Sequence, residues 1–164
     1  MSRFWWMRHA EAAPGAVDAQ RALTPYGQQQ AQQVGQWLQQ QSVQPEAIYS
    51  SHYLRARQTA EALGRALQLV PEVLADVTPE HSVDQALAQL WPLSGRPVLV
   101  VTHQPLWGAM MARLYSEPNQ PWAIPPAGLA WMDGEVIAPD CLHLKQVLAE
   151  VLCERDTSTG HGAP

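Results

Sequence analysis

The stretch Pro97-Val98-Leu99-Val100-Val101-Thr102 constrains the fold more than any other in this chain. Four aliphatic residues follow one another with no polar position between them. A strand with one wet face alternates apolar with polar; a strand this uniformly apolar is covered on both faces. Helices must then lie above and below a mostly parallel sheet, a three-layer α/β sandwich. A chain of 164 residues suffices for one such domain around one core. The expected boundaries are 1–154 for the domain and 155–164 for a loose polar tail rich in Gly, Ser and Thr.

The remaining segments fit that frame. Residues 3–7 form a short apolar run, read as a first buried strand. Thr24-Pro25 is a helix start, with Thr24 as cap and Pro25 at the first helical position. Gly27, Ala31, Val34 and Leu38 then recur at helical spacing, and the glutamines between them are the wet face. Residues 47–50 predict a second strand, and Ala56, Ala60, Leu63 and Leu67 a second helix. Residues 72–74 predict a short third strand. Val83, Ala86, Leu87 and Leu90 mark a third helix, and Pro105 opens a fourth that runs to about Tyr115. Residues 129–137 suggest a hairpin turning at Asp133-Gly134. Residues 142–152 fit helix or strand equally.

In open α/β sheets, ligands bind beyond the carboxyl ends of the strands. Arg8-His9 follows the first strand here. Ser51-His52-Tyr53-Leu54-Arg55 follows the second, and His103-Gln104-Pro105 follows the central one. Two imidazoles and at least two guanidiniums thus gather at one rim. Arginine presents a planar fork that matches phosphate oxygens and stays charged. A neutral imidazole can attack phosphorus, and a second can donate to an oxygen. The helix opening at Pro105 adds a positive dipole end. The chemistry that suits this set is phosphoryl transfer. Each residue alone has a bland reading, a surface charge or a structural histidine; their joint placement is the signal.

Met7-Arg8-His9-Ala10-Glu11 resembles the R-H-G opening of the histidine phosphatase superfamily, the phosphoglycerate-mutase-like group. Leu23-Thr24-Pro25-Tyr26-Gly27 is similar to its L-T-x-x-G helix start. The stretch from Ser50 to Ala60 is similar to its S-S-x-x-x-R-A-x-Q-T-A segment, and Val100-Val101-Thr102-His103 to its second-histidine strand. Within the superfamily the chain most resembles the SixA-type protein phosphohistidine phosphatases. It is short, and Leu74-Ala75-Asp76-Val77-Thr78-Pro79 resembles the matching stretch there, as do Asp18 and Arg21. Ala10 stands where the motif has glycine, so the backbone after His9 must keep an ordinary negative φ.

The resemblance implies a hydrolase working through a covalent phosphohistidine. His9 is the expected nucleophile, and Arg8, Arg55 and His103 the expected holders of the phosphoryl oxygens. Strict alternation would send Arg8 and His9 to opposite faces, so the backbone is expected to turn there. Arg21 is a further candidate for a distal phosphate contact or gating, and Asp76 for the general acid. No metal or other cofactor is expected, since the arginines supply the positive charge and two histidines without a third ligand make a poor zinc site. The implied partner is a phosphorylated protein, with a histidine phosphotransfer domain of a signalling relay as the candidate. Rival readings are a phosphatase of sugar phosphates or nucleotides using the same pocket, a passive phosphate-binding module, and an interaction protein using its aromatics.

Composition excludes other classes. A net charge of -5 argues against a nucleic-acid or membrane-surface binder. Cys141 and Cys153 make neither a disulfide framework nor a zinc spacing, and are expected to be buried or otherwise unremarkable thiols. No signal peptide or transmembrane run is visible, which points to a cytoplasmic protein. A monomer is expected. Seven tryptophans are many. Trp5 and Trp6 are assigned to the core strand, and Trp107 to core packing rather than to the pocket.

Overall fold

A computed structural model describes residues 1–116 and 122–149. The expected 155–164 tail, Cys153 and the end of the 142–152 segment lie outside the described residues. The elements run β1 (Ser2–Arg8), α1 (Pro25–Gln39), β2 (Ala47–Ser50), α2 (Leu54–Leu67), β3 (Glu72–Val73), α3 (Val83–Leu90), β4 (Pro97–Thr102), α4 (Leu106–Leu114), β5 (Leu129–Gly134) and β6 (Leu142–Leu148). They form one six-stranded sheet in the order β3-β2-β4-β1-β5-β6. The first four of these strands are parallel to one another; β5 and β6 are added antiparallel.

The uniformly apolar strands sit where their composition demands. Along β1, Phe4 and Trp6 enter one core cluster, while Trp5 and Met7 enter the other. Along β4, Val98 and Val100 join the first cluster and Leu99 and Val101 the second. Helices α3 and α4 contribute Ala86, Leu90, Trp107 and Met110 to the first layer. Helices α1 and α2 contribute Ala31, Val34, Ala60 and Leu63 to the second. The expected cap is present: Gly27 N–H donates to Thr24 Oγ1, with Pro25 at the helix start. Gly27 itself is required by space, because a Cβ there would collide with the Glu11 carbonyl oxygen.

One expectation about the C-terminal third needs correcting, and one open reading is resolved. The hairpin does not turn at Asp133-Gly134: β5 continues through Gly134, which pairs with both Ser2 and Leu142. The connection to the next strand runs over residues 135–141 instead. Gly134 is there because a side chain would strike the Cys141 carbonyl oxygen, so the glycine marks a close backbone approach and not a turn. The undecided segment resolves as strand β6 at the sheet edge, exposed along most of its length. That exposure removed the alternation that would have marked it. Cys141 is a free thiol, exposed and not buried, so of the two expected readings only the unremarkable one remains for it. Among the described residues no helix is long and apolar enough to cross a membrane.

Trp107 belongs to the core, as expected. Its indole N–H donates to the Trp6 carbonyl at 2.8 Å, and the Trp6 indole N–H donates to the Trp107 carbonyl at 3.0 Å. Both rings are fully buried, so each bond replaces one that water can no longer supply. The reciprocal pair ties α4 to β1 two residues before Arg8 and four after His103. Trp107→Phe leaves the Trp6 carbonyl short of a donor and opens a small void. The expected loss is about 2–4 kcal/mol of stability, read by urea unfolding.

Candidate active site

The parallel pairing of β1 with β4 sets Arg8 opposite Thr102. The next residue on each strand is a histidine, and His9 N–H continues the ladder by donating to the Thr102 carbonyl at 3.0 Å. Neighbouring strands lie about 4.8 Å apart, and the two rings accordingly sit 5.1 Å apart between centroids, tilted by 53°. Both histidines keep the parity of the α1/α2 face, so they stand side by side. The chain leaving β1 goes to α1 on one face, and the chain leaving β4 goes to α4 on the other. Connections therefore diverge between these two strands, which opens a crevice there.

The remaining charged groups come from two sides. Arg55 lies in the first turn of α2 and is buried. Its Nε–H donates to His9 Nε2 at 3.2 Å, while Nη1 and Nη2 donate to the Asp18 carbonyl at 2.7 Å and the Asp18 carboxylate at 3.2 Å. Arg8 keeps the opposite parity and donates from Nη1 to the Ile124 carbonyl at 2.9 Å. The expected turn at Arg8-His9 is thus not what joins them: β1 runs regularly through Arg8, and the two side chains approach the strand end from opposite faces. Ala10 does not take a positive φ, as its side chain requires.

Electrostatics sharpen the picture. Burial pushes the His9 pKa down to about 4; the bond to the Ala10 carbonyl opposes this, and Arg55, Arg8 and Arg21 add to it. His103 is pushed down to about 2, by burial first and then by His9, Arg55 and Arg8. Both rings are neutral at physiological pH. A carbonyl can only accept, so His9 Nδ1, 2.7 Å from Ala10 O, carries the ring proton and Nε2 keeps its lone pair. The Ala10 peptide is fixed in turn, because its N–H donates to Thr59 Oγ1 one turn along α2 from Arg55.

The lesser candidates are placed less directly. Arg21 donates to the Asp18 carboxylate at 3.0 Å and to the Ala13 carbonyl, close enough for its charge to lower His9. Asp76 pairs with His81 at 3.4 Å, and its backbone N–H is bound by Gln89. Three residues that carried no assigned role also belong here. Ser51 Oγ lies 2.6 Å from His103 Nε2. Tyr53 puts its ring against His103, and Thr59 anchors the His9 loop. Ser51 and Tyr53 stand in the same stretch after β2 that pointed to Arg55, and their position there was the available signal. Among the described residues no group of three or more His, Cys, Asp or Glu side chains could hold a metal ion.

A family model described as histidine phosphatase superfamily (branch 1) matches residues 4–78. The phosphohistidine phosphatase SixA of Escherichia coli is 39% identical over 114 residues, covering 66% of this chain and 71% of that protein. The SixA homolog of Haemophilus influenzae is 36% identical over 137 residues, covering 76% and 83%. A solved structure of the protein histidine phosphatase SixA complexed with tungstate superposes with a TM-score of 0.79 at 31% identity, covering 90% of this chain and 96% of that one.

Neutral burial of two imidazoles has a consequence for stability. Unfolded histidine titrates near 6.5, above the folded values, so on acidification the unfolded chain binds protons that the folded chain refuses. Stability is therefore expected to fall as pH drops from about 6.5 toward about 4, with each ring adding a slope approaching about 1.4 kcal/mol per pH unit. Urea midpoints at several pH values measure this, and His9→Gln should remove about half of the slope.

Proposed function

This chain belongs to the histidine phosphatase superfamily, and we propose that it hydrolyses protein-borne phosphohistidine through a phosphoryl intermediate on His9 Nε2. The observation that carries the reading is the state of that one atom. Nε2 holds a lone pair because Nδ1 is committed to Ala10, and it faces a guanidinium suited to phosphate oxygens.

In-line attack forms the Nε2–P bond as the bond from phosphorus to the substrate imidazole breaks. Arg55 Nε–H must leave the His9 lone pair for this, and the natural new acceptor is a phosphoryl oxygen. Arg8 and Arg55 then offset the charge that builds on the equatorial oxygens. His103 adds a neutral donor. Ser51 Oγ already accepts the Tyr53 N–H at 3.3 Å and has its own proton to give to His103 Nε2. With that hydroxyl as the donor, the ring proton sits on Nδ1, which has no hydrogen-bond partner among the described residues. The positive charge that forms on the phosphorylated His9 ring is shared with the Ala10 carbonyl through Nδ1–H. Water then attacks phosphorus, the Nε2–P bond breaks, and inorganic phosphate leaves.

The leaving group decides how much acid is needed. An ester oxygen departs as an alkoxide unless protonated, whereas an imidazole titrates near neutrality and takes its proton from solvent. Asp76, the acid candidate, is engaged with His81, which suits phosphoramidates better than esters. Relatives named as phosphohistidine phosphatases, and one captured with a tetrahedral oxyanion, support the same direction. A histidine phosphotransfer domain is the proposed partner, and Arg21 the proposed distal contact.

Brief mixing with radiolabelled phosphohistidine protein should trap an acid-labile, base-stable phosphoprotein. His9→Ala should abolish it, and Arg55→Ala should lower kcat/KM by about 100-fold or more; label that persists in His9→Ala rules out His9. Asp76→Asn should reduce turnover of simple phosphate esters while sparing phosphohistidine. Equal losses on the two substrates would sink the leaving-group argument.

A further inference from the structure

Tyr53 occupies the N-cap position of α2, yet no side-chain cap bond is made there. Ser, Thr, Asp or Asn would each have satisfied a helix N–H at that place, which Tyr cannot do. A local rule broken beside a reactive site asks what the residue does instead. Its ring is buried with 8% exposure. One side meets the His103 ring edge-on, at 5.1 Å and 64°. The Arg55 guanidinium carbon lies 5.0 Å from its centroid. Its hydroxyl donates to the Glu80 carboxylate, with both oxygens at 2.8 Å.

Glu80 belongs to a segment fastened beside the site. The Val77 carbonyl receives the Thr102 hydroxyl at 2.9 Å, one residue before His103, and Val77 and Thr78 are fully buried. The Tyr53 hydroxyl bond keeps the Glu80 carboxyl below its ordinary range, so the carboxylate is charged and accepting. Burial and Glu80 together raise the Tyr53 hydroxyl to about 12, so it stays a donor. A phenol that donates to a carboxylate holds more negative charge on its ring, which strengthens attraction to a cation on its face.

Arg55 shows why such a contact matters. Its Nε, Nη1 and Nη2 each donate to a protein acceptor, His9 or Asp18. For His9 Nε2 to attack phosphorus, the single Nε–H must exchange its partner, while Nη1 and Nη2, each with a second N–H, turn toward the substrate oxygens. The ring of Tyr53 is the contact that uses no N–H, so it can persist through the exchange. We propose that Tyr53, steadied by Glu80, is a positioning residue that keeps the Arg55 guanidinium and the His103 imidazole in place while the donors of Arg55 turn to substrate oxygens. The inference rests on the phosphatase reading above.

Tyr53→Leu, Tyr53→Phe, Glu80→Gln, Glu80→Ala and the double variant Tyr53→Phe/Glu80→Ala test it, with kcat and KM measured on a phosphohistidine protein. Losing the ring should lower kcat by about 100-fold, as expected for a misplaced catalytic group, with KM for the protein substrate raised by no more than about tenfold. Keeping the ring without its hydroxyl should cost about three- to tenfold. Glu80→Ala should match Tyr53→Phe, the double variant should be no worse than either, and Glu80→Gln, which still offers an oxygen, should recover most of the loss. A merely structural tyrosine would lower the melting temperature and leave kcat per folded molecule alone. The proposal is overturned if Tyr53→Leu keeps kcat within about threefold of the parent, or if the double variant's loss equals the product of the two single losses. Should Tyr53→Leu fail to fold, the Phe/Ala cycle decides. A parent chain without turnover refutes the phosphatase reading instead. Calorimetry with inorganic phosphate then reads the present inference: about tenfold weaker binding in Tyr53→Leu supports it, and affinity within a factor of two of the parent overturns it.

Discussion

The site depends first on a backbone fact, the register of β1 against β4. Pairing Arg8 with Thr102 makes His9 and His103 neighbours across adjacent parallel strands. Slipping that register by one residue would turn one imidazole to the other face. The register is held by burial more than by the ladder. Phe4, Trp5, Trp6 and Met7 pack alternately into two cores, as do the residues from Val98 to Val101. A slip would exchange the two sets and break the Trp6–Trp107 bonds as well. The large aromatic content of so short a strand is thus part of how the reactive groups are placed.

The electrostatic design follows from the same position. Strand ends at the centre of a six-stranded sheet are dry, and dryness favours neutral imidazole. Arg8 and Arg55 reinforce this by repulsion. On the proposed mechanism a histidine kept unprotonated at neutral pH is a competent nucleophile, and the cations beside it serve the incoming oxyanion. One arrangement therefore serves both needs. Its cost is a folded state that resists protonation, and hence weakens as the medium becomes acidic.

Much of this was legible from residues alone, because the features were local. Thr24-Pro25 caps a helix by its own chemistry, and an aliphatic run bounded by Pro97 and His103 can hardly be other than a buried strand. Arg8, His9, Arg55 and His103 were legible because each stands at or shortly beyond the end of a strand. What stayed hidden depends on chain segments far apart in sequence. Ser51 is an ordinary loop serine until β4 brings His103 within 2.6 Å of it. Glu80 has no visible task until α2 turns the Tyr53 hydroxyl toward it. Gly134 imitated a turn residue because its true requirement, room for the Cys141 carbonyl, is set by the returning chain. β6 gave no pattern because an edge strand with most of its side chains in water has no face to mark.

On the proposed mechanism, Asp18 stands in for part of the substrate in the free protein. Asp18 presents a carboxylate and a carbonyl to Arg55 and a second carboxylate oxygen to Arg21. Buried guanidinium groups without such partners would be costly. Asp18 is more than half exposed, and it sits on a single 3-10 turn, Asp18–Gln20. It is therefore a satisfying partner that gives way easily. A buried aspartate in a rigid helix would hold Arg55 too firmly for a phosphoryl group to compete. With no partner at all, a dry cation would stand next to the His9 imidazole, which burial keeps neutral. An exposed carboxylate on a short turn meets both demands, and the aromatic face behind the guanidinium keeps it aimed while the anions change places.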